Sequence, residues 1–178
     1  ETDKLIDIAN KEKLKINKII LTHSHYDHIQ KVDELASRTN AVLYFHEFEY
    51  DGIKPLIKNP NIKIIKLKNN EEIEIGTMKI KVIHTPGHTP GAICLLVENK
   101  LITGDTLFVN AIGRTDLAGG DSIKLFESLQ KLKKLDEGIE VYPGHDYGDV
   151  PYSTIGGEKK TNPYFMCNTR EQFLNLLG

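Results

Sequence analysis

Four times in this chain a short apolar run stops abruptly in a polar cluster carrying histidine or aspartate, and this pattern constrains the fold more than any other feature. The clusters are Thr22-His23-Ser24-His25-Tyr26-Asp27-His28, Thr85-Pro86-Gly87-His88, Gly104-Asp105-Thr106 and Pro143-Gly144-His145. The run before the first, Ile16-Asn17-Lys18-Ile19-Ile20-Leu21, is short and β-branched, as a buried strand requires. Sites assemble where strand ends gather on one side of a sheet, so the pattern predicts strands that deliver these side chains to one place. Gly or Pro beside three of the candidate ligands suits a backbone that must turn sharply there. Five of the seven histidines lie in these clusters; His46 and His84 do not, and are read as satisfied surface or core residues.

Between the clusters the grammar is α/β. Leu5, Ile8 and Ala9 stand at helical spacing behind the possible caps Thr2 and Asp3, which predicts a helix over 3–13. Ile29, Val32, Leu35 and Ala36 repeat that spacing over 29–39, and Ala41 to Phe45 returns to strand character, giving a β-α-β unit. Beyond the turn-rich stretch from Pro55 to Asn61, Glu72-Ile73-Glu74-Ile75 and Met78-Lys79-Ile80-Lys81-Val82 alternate with period two around Gly76. An antiparallel meander is predicted there, continuing through Ala92–Val97 and Leu101–Thr103. Asp121 or Ser122 caps a further helix whose Ile123, Phe126, Leu129 and Leu132 share a face, and Ile139 to Tyr142 forms a last strand. With 178 residues, a single domain around one core over 1–178 is expected.

Charge and composition remove several classes of function. Lys+Arg total 23 against Asp+Glu 25, with the lysines dispersed among acids, so no nucleic-acid footprint is expected. No stretch approaches the roughly 20 apolar residues of a membrane span, and Glu1-Thr2-Asp3-Lys4 does not open a signal peptide. Cys94 and Cys167 form no metal-binding spacing, and Cys94 inside Ala92–Val97 reads as a buried inert thiol. A reducing, cytoplasmic location is the expectation. The absence of an initial Met suggests a truncated or processed start.

Neutral imidazole and carboxylate are the ligands of zinc and of divalent iron or manganese. Five histidines and two aspartates are too many for one tetrahedral ion and suit two. His23 and His25, two apart, can aim at one ion, and Asp27 and His28, further round the turn, at a neighbour. A bridging carboxylate such as Asp105 would hold the pair at about 3.5–4 Å. In this reading Asp27 and Asp105 also orient the attacking water and are the catalytic carboxylates.

On THSHYDH (22–28), TPGHTPG (85–91), GDTLF (104–108), GRTDL (113–117) and YPGHDYG (142–148), the sequence resembles the metallo-β-lactamase superfamily, in the branch of glyoxalase II and the persulfide dioxygenases. The resemblance covers about Ile16 to Pro163. It implies an α/β fold, the four-layer αββα sandwich, here without the N-terminal strands that usually precede the first helix. It implies that His23, His25 and His88 bind one metal, that Asp27, His28 and His145 bind a second, and that Asp105 bridges. It also implies that Arg114 and Tyr147 contact a glutathione-like substrate, although Arg114 could pair with Asp116 and Tyr147 could simply pack. Gln30-Lys31 replaces the glycines usual in relatives, which bears on the local helix start, and the larger helical substrate domain of full glyoxalase II is not expected.

The implied activity is hydrolysis of a thioester such as an S-acylglutathione by a water shared between two divalent metal ions, zinc first among them. The alternative is a mononuclear iron dioxygenase acting on glutathione persulfide, with ligands drawn from His23, His25 and Asp105 or His88. A non-catalytic metal-binding domain is a third reading. The partner expected is a small thioester or glutathione-derived molecule, with neither nucleic acid nor membrane; oligomeric state is not legible.

Overall fold

A computed structural model describes residues 1–178, which form two compact units, Glu1–Leu67 and Lys68–Gly178. Apolar side chains gather in two clusters, one in each unit. Each unit has its own sheet, and a sheet with an apolar face must bury that face against its own neighbours.

The first unit begins with α1 (Thr2–Lys11), shorter than the predicted 3–13 because the chain turns out of the helix, with Lys13 at φ +55°. Then come β1 (Lys18–Ile20), α2 (Tyr26–Ile29), α3 (Val32–Thr39), β2 (Val42–His46), α4 (Tyr50–Ile53) and β3 (Ile64–Leu67). The helix predicted over 29–39 is interrupted at Gln30-Lys31, where Lys31 leaves helical geometry at φ −111° and ψ 8°. β1 pairs parallel with β2, confirming the β-α-β unit, and β2 pairs parallel with β3. β3 is a partly buried edge strand without clean alternation, and so carries no period-two signal in the sequence. Leu43, Phe45, Ile29 and Ile53 are fully buried at the centre of this unit.

The second unit holds the predicted meander: β4 (Glu72–Ile75), β5 (Met78–His84), β6 (Ile93–Val97) and β7 (Lys100–Gly104), each antiparallel to the next. A two-residue turn with Gly76 at φ +61° joins β4 to β5. The ribbon β8 (Leu107–Phe108) and β9 (Ala111–Ile112), α5 (Ser122–Leu132), β10 (Glu140–Pro143) and β11 (Ser153–Thr154) follow, and α6 (Ile155–Thr161), α7 (Pro163–Met166) and α8 (Arg170–Leu177) end the chain. β10 pairs parallel with β7, giving the sheet order β11-β10-β7-β6-β5-β4. Because β5 and β7 both run antiparallel to β6, and β10 runs with β7, the C-terminal ends of β5, β7 and β10 share one edge.

Asp121 caps α5, its side chain accepting from the N–H groups of Ile123 and Lys124. The buried face of α5 differs from the prediction: Ile123 is exposed and Leu125 is fully buried. Leu125 takes that place because the first turn of α5 packs against the backbone at Gly87. Leu125, Leu129 and Leu132 join Leu101, Phe165 and Phe173 in the core, each fully buried aliphatic side chain contributing about 1.5–3 kcal/mol. No helix is long and apolar enough to cross a membrane.

Candidate metal centre

In the first unit the ligand candidates follow β1 directly. Leu21 makes one last strand contact, its N–H donating to Tyr44 at 2.9 Å, and the chain then leaves the sheet. His23 is buried, with Thr22 Oγ1 3.1 Å from its Nδ1, which makes Nε2 the nitrogen suited to an ion. His25 stands at the N-cap of α2 in extended conformation, and that helix presents Asp27 and His28. The His23 ring lies 4.9 Å from that of His25 and 4.2 Å from that of His28, centroid to centroid. His28 Nε2 is 3.4 Å from Asp27 Oδ2. All four candidates of the HxHxDH turn thus stand together, and Ser24 between them packs so closely on α4 that a Cβ at Gly52 would lie 2.8 Å from its Oγ.

In the second unit the remaining three candidates sit on the shared edge of β5, β7 and β10. His88 follows β5 on a turn fastened to α5. Gly87 has φ +140° and lies against the backbone of Leu125, where a Cβ would come within 2.3 Å of the Leu125 nitrogen. Asp121 N–H donates to Gly87 O at 2.8 Å and Ser128 Oγ to Pro86 O at 2.7 Å. Asp105 follows Gly104, which adopts φ +49°, and Gly144 N–H donates to Gly104 O at 2.8 Å, tying the end of β10 to that of β7. Under these turns Thr85 Oγ1 and Thr106 Oγ1 hydrogen-bond at 2.9 Å, both fully buried.

The geometry converges on one carboxylate oxygen. His88 Nε2 is 3.6 Å and His145 Nε2 3.3 Å from Asp105 Oδ2. Both separations exceed an ordinary charge-assisted hydrogen bond of about 2.7–2.9 Å, and three nitrogen and oxygen donors gathered in this way suit an ion. The opposite nitrogen of His88, Nδ1, lies 2.8 Å from Arg114 O. A carbonyl can only accept, so Nδ1 carries the proton and the Nε2 lone pair is available to a metal, the usual outer-shell device of histidine ligands. Nitrogen and oxygen donors of this kind fit zinc, iron or manganese. Neither cysteine contributes: Cys94 is fully buried, its Sγ 3.7 Å from Thr103 O, and burial pushes its thiol up to about 11.

The other predicted residues occupy definite places. Arg114 makes the bidentate pair with Asp116 foreseen as an alternative, Nε to Oδ1 at 2.7 Å and Nη2 to Oδ2 at 2.6 Å. That guanidinium holds the Asp116 carboxyl down at about 2. Tyr147 is exposed, and its ring stacks on His145 at 4.9 Å and 6° while meeting Phe108 edge-on at 5.3 Å. His84 Nε2 lies 2.9 Å from Pro90 O, and buried His46 caps a short 3-10 turn by accepting from Phe48 N–H. The sequence reading missed Gly113, where a Cβ would fall 1.7 Å from Asp105 O, and the polar residues of α6 that hold the β8-β9 ribbon. The GRT motif could have pointed to Gly113; nothing local marks the others.

Strand ends bearing histidine and aspartate, with the His88 ring fixed by a backbone carbonyl, define a metal-binding α/β protein. The chain belongs to the metallo-β-lactamase superfamily, whose sequence profile matches residues 2–145. It is 32% identical to the probable polyketide biosynthesis zinc-dependent hydrolase PksB of Bacillus subtilis, over 98% of this chain and 76% of that protein. It is 36% identical to a hydroxyacylglutathione hydrolase of Francisella tularensis subsp. novicida, over 83% of this chain and 56% of that protein. The crystal structure of ETHE1 from Myxococcus xanthus superposes with a TM-score of 0.85 at 30% identity, covering 98% of this chain and 74% of that one. These relatives agree with the glyoxalase II-like branch expected from the motifs.

Proposed function

We propose that this chain is a metal-dependent hydrolase of a thioester such as an S-acylglutathione, working in the cytoplasm on a small-molecule substrate. In this reading His23, His25 and His88 would hold one divalent ion, Asp27, His28 and His145 would hold a second, and Asp105 would be shared by both, with zinc as the metal. The observation that carries it is the approach of His88 Nε2 and His145 Nε2 to the same Asp105 oxygen, which is what a carboxylate shared between two ions needs on each side. The ions, when bound, lower the pKa of a water toward about 7 and polarise the substrate carbonyl.

The protein's own groups do the rest. Asp27 and Asp105 accept hydrogen bonds from the attacking water and so direct its lone pair at the thioester carbon. The Arg114 carbonyl holds the His88 ring in the tautomer and orientation that ligation requires. Arg114, fixed by Asp116 and exposed, offers its remaining N–H groups to a carboxylate of a glutathione-like substrate, and Tyr147 supplies an aromatic face beside His145. A thiolate leaves with a conjugate acid pKa near about 8.5, so a dedicated general acid is not needed. Similarity to a hydroxyacylglutathione hydrolase supports the substrate class.

The test is elemental analysis of the purified protein together with a panel of thioesters and glutathione persulfide. Two metal ions per chain with turnover of S-lactoylglutathione or another thioester are expected. One iron per chain with oxygen uptake on the persulfide would replace this reading by the dioxygenase. A fully metallated protein that leaves every thioester intact would end it.

A further inference from the structure

Asp105 and Arg114 are joined by the β8-β9 ribbon, so whatever places that ribbon also places the carboxylate shared by two imidazoles and the carbonyl that orients His88. Two residue pairs make the ribbon, Leu107 with Ile112 and Phe108 with Ala111, and a ladder this short does not hold its own position. Its turn carries Asn110 at φ +56°. Its first strand is anchored by Leu107, fully buried in the core, whose carbonyl accepts from Thr103 Oγ1 at 2.7 Å, and its turn and second strand are held by buried polar groups. Glu158 of α6 is fully buried, and its Oε2 accepts from Asn110 N–H at 3.0 Å and from Asn162 Nδ2 at 2.8 Å. Asn162, also fully buried, turns its second amide hydrogen to Ala111 O at 3.0 Å, while its Oδ1 accepts from Tyr164 and Phe165 N–H and so caps α7. Thr161 Oγ1 reaches Asn110 Oδ1 at 2.5 Å from the exposed side.

Glu158 is a costly choice for packing alone. Its second oxygen, Oε1, is buried without a hydrogen-bond donor, and a buried carboxyl group with half its acceptors unmet costs far more than an aliphatic side chain of similar size. What the carboxyl provides, and an aliphatic side chain cannot, is a fixed acceptor for the ribbon turn, with Asn162 as a second point of attachment on the β9 side. We propose that Glu158 and Asn162 are positioning residues: they clamp the β8-β9 ribbon and thereby set the geometry of Asp105 and His88 as metal ligands. This rests on the metal-centre reading above and adds to it the part of the fold that holds one side of the ligand set in register. Neither residue touches substrate or metal.

The experiment uses the full chain and Co²⁺ as probe, comparing wild type with Glu158→Gln, Glu158→Ala and Asn162→Ala. Affinity is read by competition with a chromogenic chelator, ligand geometry by the visible Co²⁺ absorption bands, and folding by circular dichroism and the melting temperature of the metal-free proteins. Glu158→Gln keeps a carbonyl acceptor for both donors, so wild-type bands and an affinity within about twofold are expected even if its melting temperature drops. Glu158→Ala and Asn162→Ala, where folded, are expected to bind Co²⁺ at least about tenfold more weakly, the usual effect of removing outer-shell support, and with altered bands. Should Glu158→Ala fail to fold, Asn162→Ala carries the test, since it removes the donors to the ribbon while leaving the carboxyl in place. A folded Asn162→Ala protein with wild-type Co²⁺ affinity and spectrum would overturn the positioning role while leaving the metal centre intact. A wild-type protein that takes up no Co²⁺ would bring down the metal reading and this proposal together.

Discussion

Replacing Gly113 by alanine should damage the metal centre without altering any ligand. A Cβ at this position would stand 1.7 Å from Asp105 O, 2.9 Å from Asp105 C and 3.1 Å from His88 Cγ. Non-bonded heavy atoms settle at roughly 3.5 Å, so either the Asp105 backbone or the Gly113-Arg114 segment must retreat by well over about 1 Å. Both sides of that gap carry ligand geometry: Asp105 is itself a candidate ligand, and Arg114 O accepts from His88 Nδ1. Overpacking of this kind costs about 1–3 kcal/mol, occasionally more. At about 2–4 °C per kcal/mol for a chain of this size, the metal-free protein should melt roughly 2–12 °C lower. Zn²⁺ affinity, measured against a chromogenic chelator, should fall at least about tenfold. Gly76→Ala is the control. Nothing lies within 4 Å of its Cβ, but φ is +61°, so a strain of about 1–2 kcal/mol should lower the melting temperature and leave Zn²⁺ binding unchanged. A Gly113→Ala protein that binds Zn²⁺ like wild type would refute the claim that close contact between these two backbone segments sets ligand geometry.

Two further predictions concern the scaffold. Asp121→Ala should destabilise the protein by about 1 kcal/mol, because its carboxylate accepts from Ile123 and Lys124 N–H at 3.0 Å each and caps α5. The Lys124 backbone bond leads the interactions that hold the Asp121 carboxyl below its ordinary 3.8, so its stabilisation is present above that pH and lost as pH falls through the lower folded value. The gap in melting temperature between wild type and Asp121→Ala should therefore narrow from pH 7 toward pH 3, and a constant gap would count against the ionised cap. Cys94, fully buried with its thiol raised to about 11, should not react with Ellman's reagent at pH 8 in the native protein and should react in guanidinium. Prompt native labelling at Cys94 would contradict its burial.

Much of the candidate site was legible in the residues because its signals are local. A β-branched run that stops at His23 or at Asp105 announces a strand end and a ligand in the same few positions, and all seven ligand candidates stand beyond a strand as expected. The meander was legible for the same reason, since period-two alternation is a property of each strand alone. Local pattern did not decide the buried face of α5, where Ile123 fits the helical spacing as well as Leu125. Contact of the helix with the turn at Gly87 makes the choice.

What the residues alone determined is the chemistry: imidazoles and carboxylates at strand ends, no thiolate among them, and turns able to aim them. Tertiary structure decided which groups meet. β10 returns parallel to β7, which brings His145 to the edge that holds Asp105. A carbonyl 26 residues away orients His88, and a glutamate 48 residues from Asn110 holds the ribbon between them. Such pairings depend on which strands become neighbours and on what their packing leaves buried, quantities fixed by the whole chain folding together and by no short stretch of it.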